Sequence, residues 1–354
     1  MSDPVAARTG RDPLAGKTPV TLVTGFLGAG KTTLISKLLR HPEMDRVAVV
    51  INEIGEVGID NDLVRMVSEN VALLSNGCLC CSVRTDLQET LRELFGEMRA
   101  GRIPDFDRVI VETTGLADPA PVVQTLASDS MVSAHYRLDG VVTLVDAVNA
   151  ESQLESAPEA ERQVVLADRI FVTKTDLAGD AAFDALHERL RAINPQADIR
   201  RCLNGELHPK ELVDIGLGSA RADERTLRFL QALDEAATQA KGGAYLGARL
   251  PRRHDPDVRT LSLRFEEPFT WPTFTAAMDL VLALRGKDLL RVKGIINVEG
   301  QPVVVQGVGH VFHPPVKLER WPTDDESSRI VFIARKMDEA AIRNVFSAVG
   351  VLGT

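Results

Sequence analysis

No apolar run in this sequence reaches the roughly 18 residues needed to cross a bilayer as a helix, so a membrane-spanning protein is not expected. Residues 1–17 mix small, charged and proline residues without the apolar core of a secretory signal. They read as a disordered lead-in to a cytoplasmic protein. Basic residues are outnumbered, with 41 Lys and Arg against 50 Asp and Glu, a net charge of −9. Phosphate backbones are bound by basic surfaces, so nucleic acid is not an expected partner. Cysteine is scarce, four residues in all, yet three stand together at Cys78, Cys80 and Cys81. In a reducing cytosol such a cluster reads as a metal or redox site rather than a disulfide framework. The seven histidines are scattered, apart from His310 and His313, and there is no internal repeat.

What is present suits a two-domain globular protein: 354 residues, 44% hydrophobic and 26% charged. From Pro19 to about Cys202, short apolar runs alternate with helix-like stretches. Val20–Gly25, Arg46–Ile51, Val71–Leu74, Arg108–Glu112, Val141–Asp146 and Arg169–Thr173 read as buried strands. Lys31–Leu39, Val83–Arg99 and Ala181–Ala192 read as helices. That alternation predicts an α/β, doubly wound, mainly parallel sheet with loops of function at the carboxyl ends of its strands. We expect this domain over residues 18–225, a helix and linker over 226–258, and a smaller α+β domain over 259–354. In the last, Thr260–Phe265, Leu290–Val298, Val303–Val308 and Arg329–Ala334 suggest strands. Trp271–Leu284 and Asp338–Ala348 suggest helices.

Gly25-Phe-Leu-Gly28-Ala29-Gly30-Lys31-Thr32-Thr33 has the form of a phosphate-binding P-loop between a strand and a helix. Its glycines permit a tight wrap of backbone N–H groups around phosphate oxygens. Lys31 would reach the β- and γ-phosphates, and the Thr32 hydroxyl would hold Mg²⁺. Glu112 ends a buried strand and could serve the same Mg²⁺, with the Gly115 N–H offered to the γ-phosphate. Such a segment would relax on hydrolysis. Thr173-Lys174-Thr175-Asp176 follows another strand. The Asp176 carboxylate could accept bonds from guanine, which adenine cannot donate, with the Lys174 stem over the base plane; alternatively Asp176 caps the next helix.

Cys78, Cys80 and Cys81 follow the turn-prone Ser75-Asn76-Gly77. Three thiolates can converge on one soft or borderline ion from an irregular loop, leaving a fourth position open, as suits a carrier. Buried or redox cysteines are the alternatives, and Cys202 reads as a core residue. In Asn52–Asp60, Asp60 could contact Mg²⁺ and Glu53 a metal, or the loop is simply solvated.

In this order the motifs resemble the CobW-type metallochaperone GTPases, relatives of the nickel-insertion GTPases of hydrogenase and urease maturation. The matching stretches are Gly25–Thr33, Asn52–Asp60, Asn76–Cys81, Glu112–Pro119 and Thr173–Asp176, with Leu290–Gly294 and Val305–Val308 farther on. The resemblance implies GTP hydrolysis with Mg²⁺ and a transition ion, Zn²⁺ or Co²⁺, on Cys78, Cys80 and Cys81. It also implies delivery to a client metalloprotein or metal-cofactor pathway protein, and leaves a homodimer open. On it, Lys31 and Thr32 serve phosphates and Mg²⁺, Glu112 the switch, and Asp176 the base. Two departures stand out. Thr173 replaces an Asn common in GTPases, so base selectivity would rest on Asp176. Many members carry a histidine-rich tract between domains, where this linker offers only His254. A P-loop small-molecule kinase and a zinc- or redox-sensing module are the rival readings.

Overall fold

A computed structural model describes residues 16–44, 46–51, 87–212, 215 and 258–350, and the backbone alone of 64–68, 71–74, 79–82 and 351–352. It divides into two compact units, the first running Gly16–Arg191 and Ala197–Gly216. The expected N-terminal lead-in up to residue 15, the linker over 226–257, Glu53, Asp60, Cys78 and His254 lie outside the described residues.

In chain order the first unit contains β1 (Thr18–Gly25), α1 (Lys31–Leu38), β2 (Val47–Ile51), β3 (Val64–Ser68), β4 (Val71–Leu74), β5 (Leu79–Ser82), α2 (Leu87–Arg99) and β6 (Arg108–Glu112). There follow α3 (Ala120–Ser128), α4 (Ser130–His135), β7 (Tyr136–Asp146), α5 (Ala150–Ser156), α6 (Pro158–Leu166), β8 (Arg169–Thr173), α7 (Thr175–Ala178), α8 (Asp180–Ile193) and β9 (Asp198–Cys202). The sheet order is β3-β4-β5-β2-β6-β1-β7-β8-β9. From β5 across to β9 every neighbouring pair is parallel; β3 and β4 form an antiparallel edge. This is the expected P-loop NTPase architecture.

Strands covered on both faces need near-continuous apolar sequence. Val-Ala-Val-Val-Ile in β2 and Arg-Ile-Phe-Val-Thr in β8 supply it, and both strands are buried throughout. Leu34, Ile35 and Leu38 of α1 pack on Val23, Val49, Ile110, Val142, Leu144 and Phe171. On the opposite face, the Thr143 hydroxyl donates to the Gln163 carbonyl of α6 at 2.7 Å. Helices therefore cover both sides, and the loops leaving β1, β6, β7 and β8 emerge at one end.

Two expectations need correction here. Strand β7 begins at Tyr136 rather than Val141, because the Asp139 carboxylate inside it is neutralised by Arg108 of β6 at 2.6 Å. Cys80 and Cys81 were expected on an irregular loop, yet their backbone belongs to β5. Cys80 registers with Val49 and Cys81 with Val50, and the other edge pairs with β4. Ladder partners on both sides satisfy these peptide groups, which a free loop would leave to solvent.

The second unit has β10 (Val258–Phe265), α9 (Trp271–Arg285), β11 (Leu289–Val298), β12 (Gln301–Val308), β13 (Val311–Phe312), β14 (Val316–Lys317), β15 (Ser328–Arg335) and α10 (Glu339–Leu352). Its antiparallel sheet runs β10-β15-β11-β12-β13, with β14 also paired to β12. Trp271, Phe274 and Met278 of α9 and Ile342 and Phe346 of α10 close one core with Leu263, Val292, Val305 and Phe332 of the sheet. The α+β expectation and its hairpin hold. His310 is exposed in the turn before β13, and His313 is half-buried.

Candidate functional site

Strand β1 leaves the sheet at Gly25, with φ 144°. A Cβ there would lie 2.4 Å from the Leu144 carbonyl oxygen of β7, so only glycine lets this strand end run so close to its neighbour. The chain then turns, the Ala29 N–H donating to the Phe26 carbonyl at 3.1 Å. Gly28 and Gly30 take φ 76° and 95°, and Gly30 is the N-cap of α1. The N-terminus of α1 follows the glycine loop directly and has no side-chain cap, and a helix N-terminus is the usual geometry for an anion. Lys31 is buried, and its ammonium arches back to donate to the carbonyls of Gly25 at 2.9 Å and Phe26 at 3.3 Å. Thr32 and Thr33 are exposed on the first turn.

Glu112 ends β6 beside this loop, in register with Val23 of β1 and Ile51 of β2. It is 1% exposed. The Thr113 N–H donates to the Val23 carbonyl at 3.0 Å and its hydroxyl to Thr24 at 2.8 Å. A carboxylate buried in register with the strand that leads into the P-loop, taken with the Thr32 hydroxyl on the first turn of α1, is a hard-oxygen donor set that suits Mg²⁺.

Gly115 is pressed against the P-loop itself, since a Cβ there would sit 2.8 Å from the Leu27 nitrogen and 2.9 Å from its Cα. Gln163 of α6, 1% exposed, holds this segment from behind. Its amide donates to the carbonyls of Gly115 at 3.1 Å and Ala117 at 3.0 Å. Arg162 pairs with Asp118 at 3.1 Å, and Asp118 accepts from the Ala120 N–H at the start of α3.

The third loop is tied to the first. The Thr173 hydroxyl donates to the Ala29 carbonyl at 2.9 Å and lies 3.3 Å from that of Val145. Lys174 takes φ 56° and is the N-cap of α7. Asp176 is therefore not the cap; it is exposed in the first turn. The Lys174 ammonium pairs with Asp146 at 2.8 Å. Asp146 also accepts from Asn149 at 2.8 Å and from the Val148 N–H at 2.9 Å. Burial alone would push the Asp146 carboxyl up, but the bonds from Lys174, Asn149 and Val148 outweigh it and hold it below the usual range.

The structure thus brings Gly25, Gly28, Ala29, Gly30, Lys31, Glu112, Gly115 and Thr173 into neighbouring loops at one end of the sheet. Sequence reasoning missed Asp146, Asn149 and Gln163. The Asp-x-x-Asn spacing straight after an apolar strand is an Asx-turn signal that could have marked the first two. It also passed over the loop after β9, where Asn204 and Gly205 take φ 53° and 74° and a Gly205 Cβ would lie 3.2 Å from the Leu34 nitrogen of α1. Cys202 is 1% exposed in the core, as expected, and burial pushes its thiol up to about 11. Among the described residues no three His, Cys, Asp or Glu side chains are grouped to hold a metal ion. None of their helices is long and apolar enough to cross a membrane.

Residues 19–201 match the family described as CobW/HypB/UreG, nucleotide-binding domain. Residues 258–349 match the cobalamin synthesis protein cobW C-terminal domain. The zinc chaperone YjiA of Escherichia coli is 35% identical over 335 residues, covering 93% of this chain and 97% of the relative. The zinc-regulated GTPase metalloprotein activator 1 of Schizosaccharomyces pombe is 35% identical over 325 residues, covering 83% and 76%. The crystal structure of Zn(II)-bound YjiA GTPase from E. coli aligns with a TM-score of 0.72 at 31% identity, covering 94% of this chain and 99% of that one. A P-loop domain and a C-terminal domain that both match, in this order, place the chain in the CobW/HypB/UreG family.

Proposed function

We propose that this protein is a GTP-hydrolysing metal chaperone that takes up a transition ion, Zn²⁺ or Co²⁺, and passes it to a client protein under nucleotide control. The observation that carries the nucleotide half is the junction of three loops, with Thr173 bonded to Ala29 and Gly115 packed on Leu27. The metal half is supported by relatives whose names are zinc chaperone and zinc-regulated GTPase metalloprotein activator.

In this reading the P-loop N–H groups and Lys31 bind the phosphates, with Gly28, Ala29, Gly30 and Thr33 shaping the cradle. Thr32 and Glu112 hold Mg²⁺, which when bound neutralises charge developing on the phosphates. The Gly115 N–H meets the γ-phosphate and Asp60 the Mg²⁺ shell. Thr173, Lys174 and Asp176 receive guanine. The cargo ion binds to the thiolates of Cys78, Cys80 and Cys81, with Glu53 as a further donor. The residues 52–60 and 112–118 flank the cysteines in sequence, so ordering them around GTP alters the site that holds the ion. A coupling of about 1–3 kcal/mol corresponds to a change in affinity of about 5- to 150-fold.

The test is a Zn²⁺ and Co²⁺ titration against a competing chelator, in apo, Mg²⁺–GDP and Mg²⁺–GTP-analogue states. A shift of at least about fivefold between nucleotide states, abolished when all three cysteines become Ser, is the expected result. Equal affinities in all states would remove nucleotide control, and unchanged affinity in the triple variant would remove the cysteine site.

A further inference from the structure

We infer that Asp146 is a positioning residue of the base pocket, its buried carboxylate fixing the Lys174 ammonium so that the Lys174 stem is preset beside the purine plane. The inference rests on the guanine-nucleotide reading above. The Asp146 side chain is 1% exposed, while that of Lys174 is 37% exposed. One end of the pair is therefore anchored in the fold and the other reaches the loop that carries Asp176. A free lysine stem samples many rotamers, and ordering it on binding costs affinity. Here the ammonium is already held at 2.8 Å. The carboxylate that holds it is itself held, by Asn149 on the same oxygen and by the Val148 N–H on the other.

The backbone adds to this preset. Lys174 takes the left-handed conformation, φ 56° and ψ 29°, which non-glycine residues seldom adopt. The Thr173 carbonyl accepts from the Ala147 N–H at 3.0 Å, so the chain just after Asp146 is bonded to the residue just before Lys174. The two loops are joined by backbone and by side chain. The ion pair thus lies where β7 and β8 leave the sheet, and its natural output is the orientation of the lysine.

The experiment is equilibrium binding of fluorescent GDP and of a GTP analogue to the full chain and to Asp146→Asn, Lys174→Met and the double variant. Asparagine at 146 keeps the acceptor for Val148 and removes the charge that holds the lysine. Methionine at 174 keeps an apolar stem and removes the ammonium. Each single change is expected to weaken GDP and the GTP analogue alike, by about tenfold, because the base end is common to both. The double variant is expected to be no weaker than either single one, since both remove the same interaction. Losses that multiply in the double variant, or no loss in Lys174→Met, would overturn the role of Asp146. Should Asp146→Asn fail to fold, Lys174→Met at the partly exposed position decides alone. A wild-type chain that binds adenine nucleotides as tightly as guanine ones would instead overturn the guanine reading and this inference with it.

Discussion

The Thr173 hydroxyl donates to the Ala29 carbonyl across 144 residues of sequence, at 2.9 Å. This single bond joins the glycine loop after β1, proposed to wrap phosphates, to the loop after β8, proposed to read the base. Both groups are buried, so neither has water as a substitute. Thr173→Val keeps the shape and deletes the donor, leaving the Ala29 carbonyl without this partner. We expect a loss of about 1–3 kcal/mol in unfolding free energy, read by urea denaturation, together with weaker nucleotide binding. A variant as stable as the wild type would show that the two loops are held by other contacts.

Gly115 makes the second junction. A methyl group there meets the Leu27 backbone nitrogen and Cα at 2.8 and 2.9 Å, and neither is the tip of a flexible side chain. Gly115→Ala must therefore displace either the P-loop or the segment after Glu112. Phosphate release at saturating GTP should fall at least about tenfold, in line with the cost of misplaced catalytic groups. Wild-type turnover in this variant would mean the close approach has no part in hydrolysis.

Gln163 supports the same segment from α6. Its amide is bonded to two carbonyls, at Gly115 and Ala117. Gln163→Ala should remove both of these bonds and lower stability by about 1–3 kcal/mol. The local consequence is sharper: amide hydrogen exchange over residues 115–118 should speed up more than exchange in β1. Equal changes in both regions would assign Gln163 a purely global role.

Much of this arrangement is legible in the sequence, for a physical reason. A parallel sheet is buried on both faces, so Val47–Ile51 and Arg169–Thr173 announce themselves as apolar runs, and function collects where such runs end. The hairpin of Leu289–Val298 and Gln301–Val308 is legible in the same way. What escaped is polar and long-range. Arg137 and Asp139 hide the first half of β7, because the Arg108 partner that makes Asp139 tolerable is 31 residues away. Gln163 acquires meaning only from carbonyls 46 and 48 residues distant, and the Lys174 partner of Asp146 is 28 residues away. The backbone of Leu79–Ser82 pairs with strands on both sides, which the turn residues Asn76-Gly77 before it did not signal.

Acid sensitivity follows from the depressed Asp146 carboxyl. Its folded pKa lies below its unfolded one, so the ionised pair stabilises the fold above about pH 4. That contribution is lost as pH falls through the folded value. Thermal unfolding of wild type and Asp146→Asn should therefore differ at pH 7 and converge toward pH 3. A gap that stays constant over this range would mean the Asp146 charge adds nothing to stability.

The four cysteines should separate by reactivity. Cys202 is 1% exposed, and burial pushes its thiol up to about 11, so at pH 8 it is almost wholly the unreactive thiol and sterically covered. Iodoacetamide at pH 8 should leave it unmodified in the folded chain and modify it once denaturant is added. Cys78, Cys80 and Cys81, as proposed ligands, should be modified in the metal-free folded chain and protected when Zn²⁺ is bound, because a coordinated thiolate is a poor nucleophile toward added reagent. Mass spectrometry of tryptic peptides reads each site. Protection of the cluster by Zn²⁺ with Cys202 silent throughout would tie the cargo ion to those three thiols. Equal labelling of the cluster with and without Zn²⁺ would place the ion elsewhere and detach the cysteines from the chaperone function.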